Sequence, residues 1–209
     1  NQEENRTGVS SHLSERALRE IYLRGFEICV RDGNALSIMT SYNKVNGVYS
    51  PNSHDLCTKV LRNEWGFDGF AVSDYSGMNG LYDTHKLTDS YEKAQAMCIK
   101  AGLEVNLPFG SIERLRTEYN DGLLTDSDID KAVFNILKMK FSIGPFDEPY
   151  ADEKKANAAV RNEEHKALAY KAAQESIILL KNEGLLPLDK QKTQKVAVFG
   201  KGADVLPVG

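Results

Sequence analysis

The apolar run Phe70-Ala71-Val72-Ser73 ends in Asp74 and Tyr75. A carboxylate at the end of an apolar strand has two ordinary uses. It can cap the turn or helix that follows, or it can face a pocket and act on a substrate as nucleophile or proton carrier. Position alone leaves both open. A neighbouring run, Ala35 to Ser41, ends in Met39-Thr40-Ser41-Tyr42-Asn43. If the two runs are adjacent strands, the Tyr42 hydroxyl comes within reach of Asp74 and would hold the carboxylate ionised and aimed. A third run, Leu103 to Leu107, carries Glu104 and stops at Pro108. Glu104 is the weaker pocket candidate, and Asp68 reads as a turn residue.

Helices must stand between these runs. Ser14 is placed to cap a helix reaching about Val30, with Leu18, Ile21, Tyr22, Phe26 and Val30 on one face and Gly33 as a stop. Asn46-Gly47 marks a turn. Further helices are expected from about Ser53 to Glu64, Ser90 to Ala101, Ser111 to Asn120 and Thr125 to Phe141. Thr125 and Asp128 have capping-box spacing, and Ile129, Val133, Ile136, Leu137 and Lys140 form a stripe. Residues 76–89 read as a polar loop. Short apolar strands alternating with helices imply a parallel sheet with helical crossovers, an α/β arrangement. Its chemistry belongs at the carboxyl ends of the strands.

The segment from Gly144 to about Arg161 is polar, carries Pro145 and Pro149, and reads as an interdomain linker. Beyond it, Asn162 caps a helix expected to reach Lys181, and Lys195 to Phe199 reads as a strand. Gly200 and Gly202 are too few for a nucleotide-binding fingerprint.

The composition narrows the partners. The 209 residues are 41% hydrophobic and 27% charged, with a net charge of −4. Basic runs are absent, so nucleic acid and anionic membrane are not expected partners, and no apolar run is long enough for a membrane span. Cys29, Cys57 and Cys98 suit buried free thiols better than a disulfide framework. His12, His54, His85 and His165 read as ordinary polar positions, and no Cys or His pair has metal-ligand spacing. Neither end reads as a natural terminus, so the chain is expected to be an internal piece of a longer protein.

Several segments resemble glycoside hydrolase family 3, and they occur in that family's order. Asn43-Lys44-Val45-Asn46-Gly47 and Leu61-Arg62-Asn63-Glu64-Trp65-Gly66-Phe67-Asp68-Gly69-Phe70-Ala71-Val72-Ser73-Asp74 resemble its nucleophile region. Asn1-Gln2-Glu3 resembles the stretch after its Lys-His sugar-binding pair, and Leu13 to Leu23 its next helix. Ala101-Gly102-Leu103-Glu104-Val105 resembles its last barrel strand. Glu175 to Gly184 and Lys195 to Gly200 resemble the entry to its second domain.

The resemblance implies an α/β fold: the C-terminal part of a TIM-like (β/α)8 barrel over residues 1–143, a linker over 144–161, and the start of an α/β-sandwich domain over 162–209. It implies a retaining glycoside hydrolase releasing terminal β-linked sugars, β-D-glucosidase first and β-xylosidase next, through a glycosyl-enzyme on Asp74. Arg6, Met39, Tyr42 and Tyr75 match its substrate-binding positions, Tyr75 standing where that family often has Trp. The acid/base Glu of the family lies outside this chain, so the chain alone is expected to be inactive. Trp65 is expected to pack structurally. No cofactor or metal is required. The expected partners are β-glucosides or short oligosaccharides. Homo-oligomerisation of the full-length protein, and a cytoplasmic or a secreted or periplasmic location, stay open. Two alternatives have other predictions: a non-catalytic carbohydrate-binding remnant, and a Schiff-base aldolase using Lys44, which lies in a polar turn with nothing to desolvate it.

Overall fold

The computed structural model describes residues 3–108, 110–193, 195–200 and 202–203. Asn1, Gln2, Val208 and Gly209, which carry part of the sequence reading, lie outside the described residues. The chain divides into two compact units, Asn1–Tyr150 and Ala151–Gly209.

The first unit runs β1 (Ser10–Ser11), α1 (Glu15–Ala17), a π-helical stretch (Leu18–Tyr22), α2 (Arg24–Arg31), β2 (Ser37–Thr40), β3 (Lys44–Val45) and β4 (Val48–Tyr49). A 3-10 turn (Ser50–Asn52) and a second π-helical stretch (Asp55–Glu64) lead to β5 (Phe70–Tyr75). Then come α3 (Gly77–Asp83), α4 (Tyr91–Ala101), β6 (Val105–Leu107), α5 (Ile112–Asn120) and α6 (Asp126–Ile143). Strands β2, β5 and β6 form one parallel sheet in that order. A smaller sheet pairs β1 with β3 in parallel and β3 with β4 as a hairpin. Asn46 and Gly47 sit at its tip with positive φ, the geometry a tight hairpin turn demands.

The helix ends follow the cap residues. Ser14, Ser90 and Ser111 accept from the backbone N–H three residues on, and Thr125 and Asp128 cap each other reciprocally. Gly102 ends α4 at φ +101, where a Cβ would come within 2.5 Å of Thr58 Oγ1. The Thr58 hydroxyl donates to the Ala101 carbonyl there, so only glycine fits this close approach.

One face of the parallel sheet is packed. Ala71 joins Tyr49, Met78, Leu81, Ala94, Cys98 and Leu103 in the main core, and Val30, Leu61 and Phe67 form a second cluster. Alternation along β5 sends Ala71 and Ser73 into this packing, fully buried, and turns Val72 and Asp74 to the more open face.

Three expectations need correction. The stretch read as a loop contains α3. Its two glycines mask the pattern, but Met78 and Leu81, three apart, are fully buried, and Gly77 lets the helix approach Ser73, whose Cβ would be 3.2 Å from an added one. The apolar face expected at the start of the chain is there and largely open, with Ile21, Tyr22 and Phe26 exposed and Val30 buried. Cys29 is exposed, whereas Cys57 and Cys98 are buried.

The third lies in the second unit, where α7 (Glu153–Ala159) is followed by α8 (Glu163–Ser176), capped by Asn162. Helix α8 stops short of Lys181, where β-branched Ile177 and Ile178 follow. Lys195 to Phe199 is irregular and exposed. A strand is held by a paired neighbour, and among the described residues none pairs with it.

Candidate active site

Asp74 stands near the carboxyl end of the central strand. Its Oδ1 accepts from the Tyr75 N–H at 2.6 Å, outside any helix, and the N-cap position of α3 is Ser76, which makes no side-chain cap. Asp74 therefore does not cap α3. The strand ends sharply because Ser76 takes a left-handed conformation (φ 59) and donates its N–H to the Leu107 carbonyl at 2.6 Å.

Tyr42 follows the neighbouring strand, and its hydroxyl donates to the Tyr75 carbonyl at 2.7 Å, next to the Asp74 carboxylate. Burial and then the hydrogen-bonding and charge of Asp74 push the phenol above its usual value, while Arg6 pulls it down. The hydroxyl thus stays protonated, a donor at the carboxylate's side. The Arg6 guanidinium lies 4.7 Å from the centre of the Tyr42 ring and pairs with Glu3 at 2.8 Å. Arg6, Tyr42 and Tyr75 line one cavity of about 180 Å³ together with Thr7, Asp83 and His85.

Met39 stands apart from that group. It pairs in register with Val72, so it shares the face of Asp74 but lies two residues further down the sheet. It is exposed and lines a separate apolar cavity of about 380 Å³ beside Leu18, Tyr22 and Phe26.

Glu104 has a structural part instead of a place in the cavity. One oxygen accepts from Arg62 at 2.5 Å and from Asn135 at 2.7 Å, and the other from the Ala71 N–H at 2.7 Å. The Arg62 and Glu104 side chains are 10% and 3% exposed, so this pair is a buried clamp joining β5, the Asp55–Glu64 stretch and α6. Asp68 pairs with Lys138 at the surface, and Trp65 packs against the Val30–Leu61–Phe67 cluster. Another carboxylate, Glu118 on α5, is fully buried with neither oxygen hydrogen-bonded among the described residues. Burial and the neighbouring Glu92 push it up to about 8, against a smaller opposing pull from Arg114.

Sequence reasoning missed His85. Its Nδ1 lies 3.1 Å from the Thr7 carbonyl, and its ring stacks on Tyr49 with centres 3.8 Å apart. The signal was a helix hidden by two glycines, with a histidine just past its end. No group of three or more His, Cys, Asp or Glu among the described residues is arranged to hold a metal ion.

Residues 3–139 match the model of the glycosyl hydrolase family 3 N-terminal domain. The chain is 34% identical to β-glucosidase B of Emericella nidulans, over 98% of its own length and 23% of that protein's. It is 35% identical to a β-xylosidase of Formosa agariphila, over 96% of its length and 29% of that protein's. Among solved structures it superposes on a β-glucosidase from Erythrobacter marinus with a TM-score of 0.77 and 34% identity, covering 86% of this chain and 24% of that one. The chain thus spans about a quarter of the length of these relatives.

Proposed function

The chain belongs to glycosyl hydrolase family 3, and we propose that the protein containing it is a retaining β-glycosidase, a β-D-glucosidase first, with Asp74 as its nucleophile. The observation that carries this reading is a carboxylate near the carboxyl end of a parallel strand, not used to cap the next helix, with a protonated tyrosine beside it. We read β2, β5 and β6 as strands from the C-terminal part of a (β/α)8 barrel, whose chemistry sits at this end. Residues 162–209 are read as the beginning of an α/β-sandwich domain.

In this account Asp74 attacks the anomeric carbon as the bond to the aglycone oxygen breaks. A second carboxyl group, roughly 5 Å away in retaining enzymes and outside this chain, protonates the departing oxygen. The same group then takes a proton from water, which attacks the anomeric carbon and releases the sugar and Asp74. The Tyr42 hydroxyl keeps the carboxylate aimed, and Arg6 and Tyr75 hold sugar hydroxyls and the ring face. Met39 contributes an apolar contact from deeper on the same sheet face. No step needs a metal or an organic cofactor. β-Glucosides and short oligosaccharides are the substrates of this reading.

The similarity to a Formosa agariphila β-xylosidase supports a second reading with the same mechanism and a pentose in the site. Comparing kcat/KM of the full-length protein on 4-nitrophenyl β-D-glucoside and β-D-xyloside decides between them. For the mechanism, Asp74→Gly with added azide is expected to give the α-glycosyl azide from a β-glycoside. A β-azide, or no dependence of turnover on Asp74, would overturn the assignment. The 209-residue chain alone is expected to turn over neither substrate.

A further inference from the structure

Arg6 has little holding it in place. It lies in an irregular segment, its partner Glu3 is largely exposed, and its guanidinium reaches the site by resting on the Tyr42 ring. The backbone next to it is held from a distance. The Thr7 carbonyl receives two contacts from far along the chain: His85 Nδ1 at 3.1 Å and the Tyr49 hydroxyl at 3.5 Å. A carbonyl only accepts, so Nδ1 of His85 carries the proton in this contact. The two donors brace each other through the stack of their rings, 3.8 Å apart and inclined by 22°. Tyr49 is buried in the main core, and Lys44 covers its ring at 4.7 Å. The backbone N–H of His85 donates to the Gly80 carbonyl at 2.8 Å, tying this residue's main chain to the end of α3. Burial, with Lys44 nearby, lowers the imidazole from its usual value against the opposing pulls of the Thr7 carbonyl and Asp83, which suits a neutral ring donating through Nδ1.

We infer that His85 is a positioning residue: by holding the Thr7 carbonyl against the Tyr49 stack it sets the Arg6 guanidinium over the ring of Tyr42, whose hydroxyl lies next to Asp74. It lines the same cavity as Arg6, Thr7, Tyr42 and Tyr75, so it couples the segment after β5 to the one that carries Arg6. The inference rests on the glycosidase reading only for its kinetic consequence. The geometric claim stands by itself.

The test is a double-mutant cycle in the full-length protein on 4-nitrophenyl β-D-glucoside. His85→Ala is expected to lower kcat/KM about tenfold or more, because small misplacements of a substrate-holding group are costly. In an Arg6→Ala background the same change is expected to cost less than about twofold, since the group it positions is gone. Equal losses in both backgrounds would overturn the proposal. His85→Asn keeps an N–H donor near the Nδ1 position without the ring, and His85→Phe keeps the stack without the donor. Recovery by Asn supports the hydrogen bond as the device, and recovery by Phe alone overturns it. A crystal structure of His85→Asn and His85→Phe needs no activity: the guanidinium is expected over Tyr42 in the first and displaced in the second, and an unmoved Arg6 in the Phe variant contradicts the inference. Absence of wild-type turnover would count against the glycosidase reading, and the crystal structures would still decide the role of His85.

Discussion

Asp74 lies in β5 and Glu104 just before the neighbouring β6, and the surroundings of the two carboxylates differ in kind. Glu104 has both oxygens bound inside the protein, one to a buried guanidinium and a side-chain amide, the other to a backbone N–H. Asp74 has one oxygen on the adjoining N–H and the hydroxyl of Tyr42 at its side, and it faces the open side of the sheet. A carboxylate pinned on all sides contributes to the fold, whereas one oriented on the open face of the sheet and partly exposed can react. Glu118 supplies a third condition, buried with no partner among the described residues.

Four substitutions in the full-length protein break or sharpen this contrast, from the largest effect to the smallest. Asp74→Ala is expected to reduce kcat by about 10⁴-fold or more while leaving the unfolding midpoint in urea near wild type. A large loss of stability with modest loss of turnover would move Asp74 to the class of Glu104. Glu104→Gln is expected to do the reverse: it leaves the Arg62 charge buried without its partner, costing about 3–5 kcal/mol of stability. Its turnover per folded molecule, counted by active-site titration, should stay close to wild type.

Glu118→Gln tests the third condition through pH. The folded-state value is raised from the ordinary 4.5 to about 8, so the folded protein holds a proton that the unfolded chain releases between those values. Stability from this group is therefore full below pH 4.5 and is lost as pH rises toward 8, by at most about 1.4 kcal/mol per pH unit. Urea midpoints measured from pH 5 to 8 should fall more steeply for wild type than for Glu118→Gln, and parallel slopes would contradict the assignment. The smallest effect is Tyr42→Phe. It keeps the ring under Arg6 and removes the hydroxyl at Asp74, lowering kcat/KM by about tenfold. An unchanged kcat/KM would mean that the Tyr75 carbonyl, and not Asp74, is the only group this hydroxyl serves.

Much of the contrast was legible in the sequence. An apolar run delivering Asp74, a second run placing Tyr42 nearby, cap residues at Ser14, Thr125 and Asn162, and helix starts near Ser90 and Ser111 all follow from short-range rules. The clamp on Glu104 was not legible, because its partners stand 42 and 31 residues away and only folding brings them together. Helix α3 was hidden because its glycines serve close packing and not flexibility, and His85 was hidden with it. The shared face of Ile21, Tyr22 and Phe26 was legible, but periodicity tells which side of a helix is apolar and not what lies over it. Strand propensity at Lys195 to Phe199 likewise could not supply a pairing partner.

The central claim is that Asp74 forms a covalent bond to sugar, and one measurement addresses it directly. The full-length protein is incubated with a 2-deoxy-2-fluoro-β-glucoside bearing a good leaving group, then weighed intact and mapped by peptide. The account predicts one added fluoro-sugar on the peptide containing Ser73-Asp74-Tyr75. A label on another carboxylate, or none on a protein that hydrolyses the parent glucoside, would contradict it.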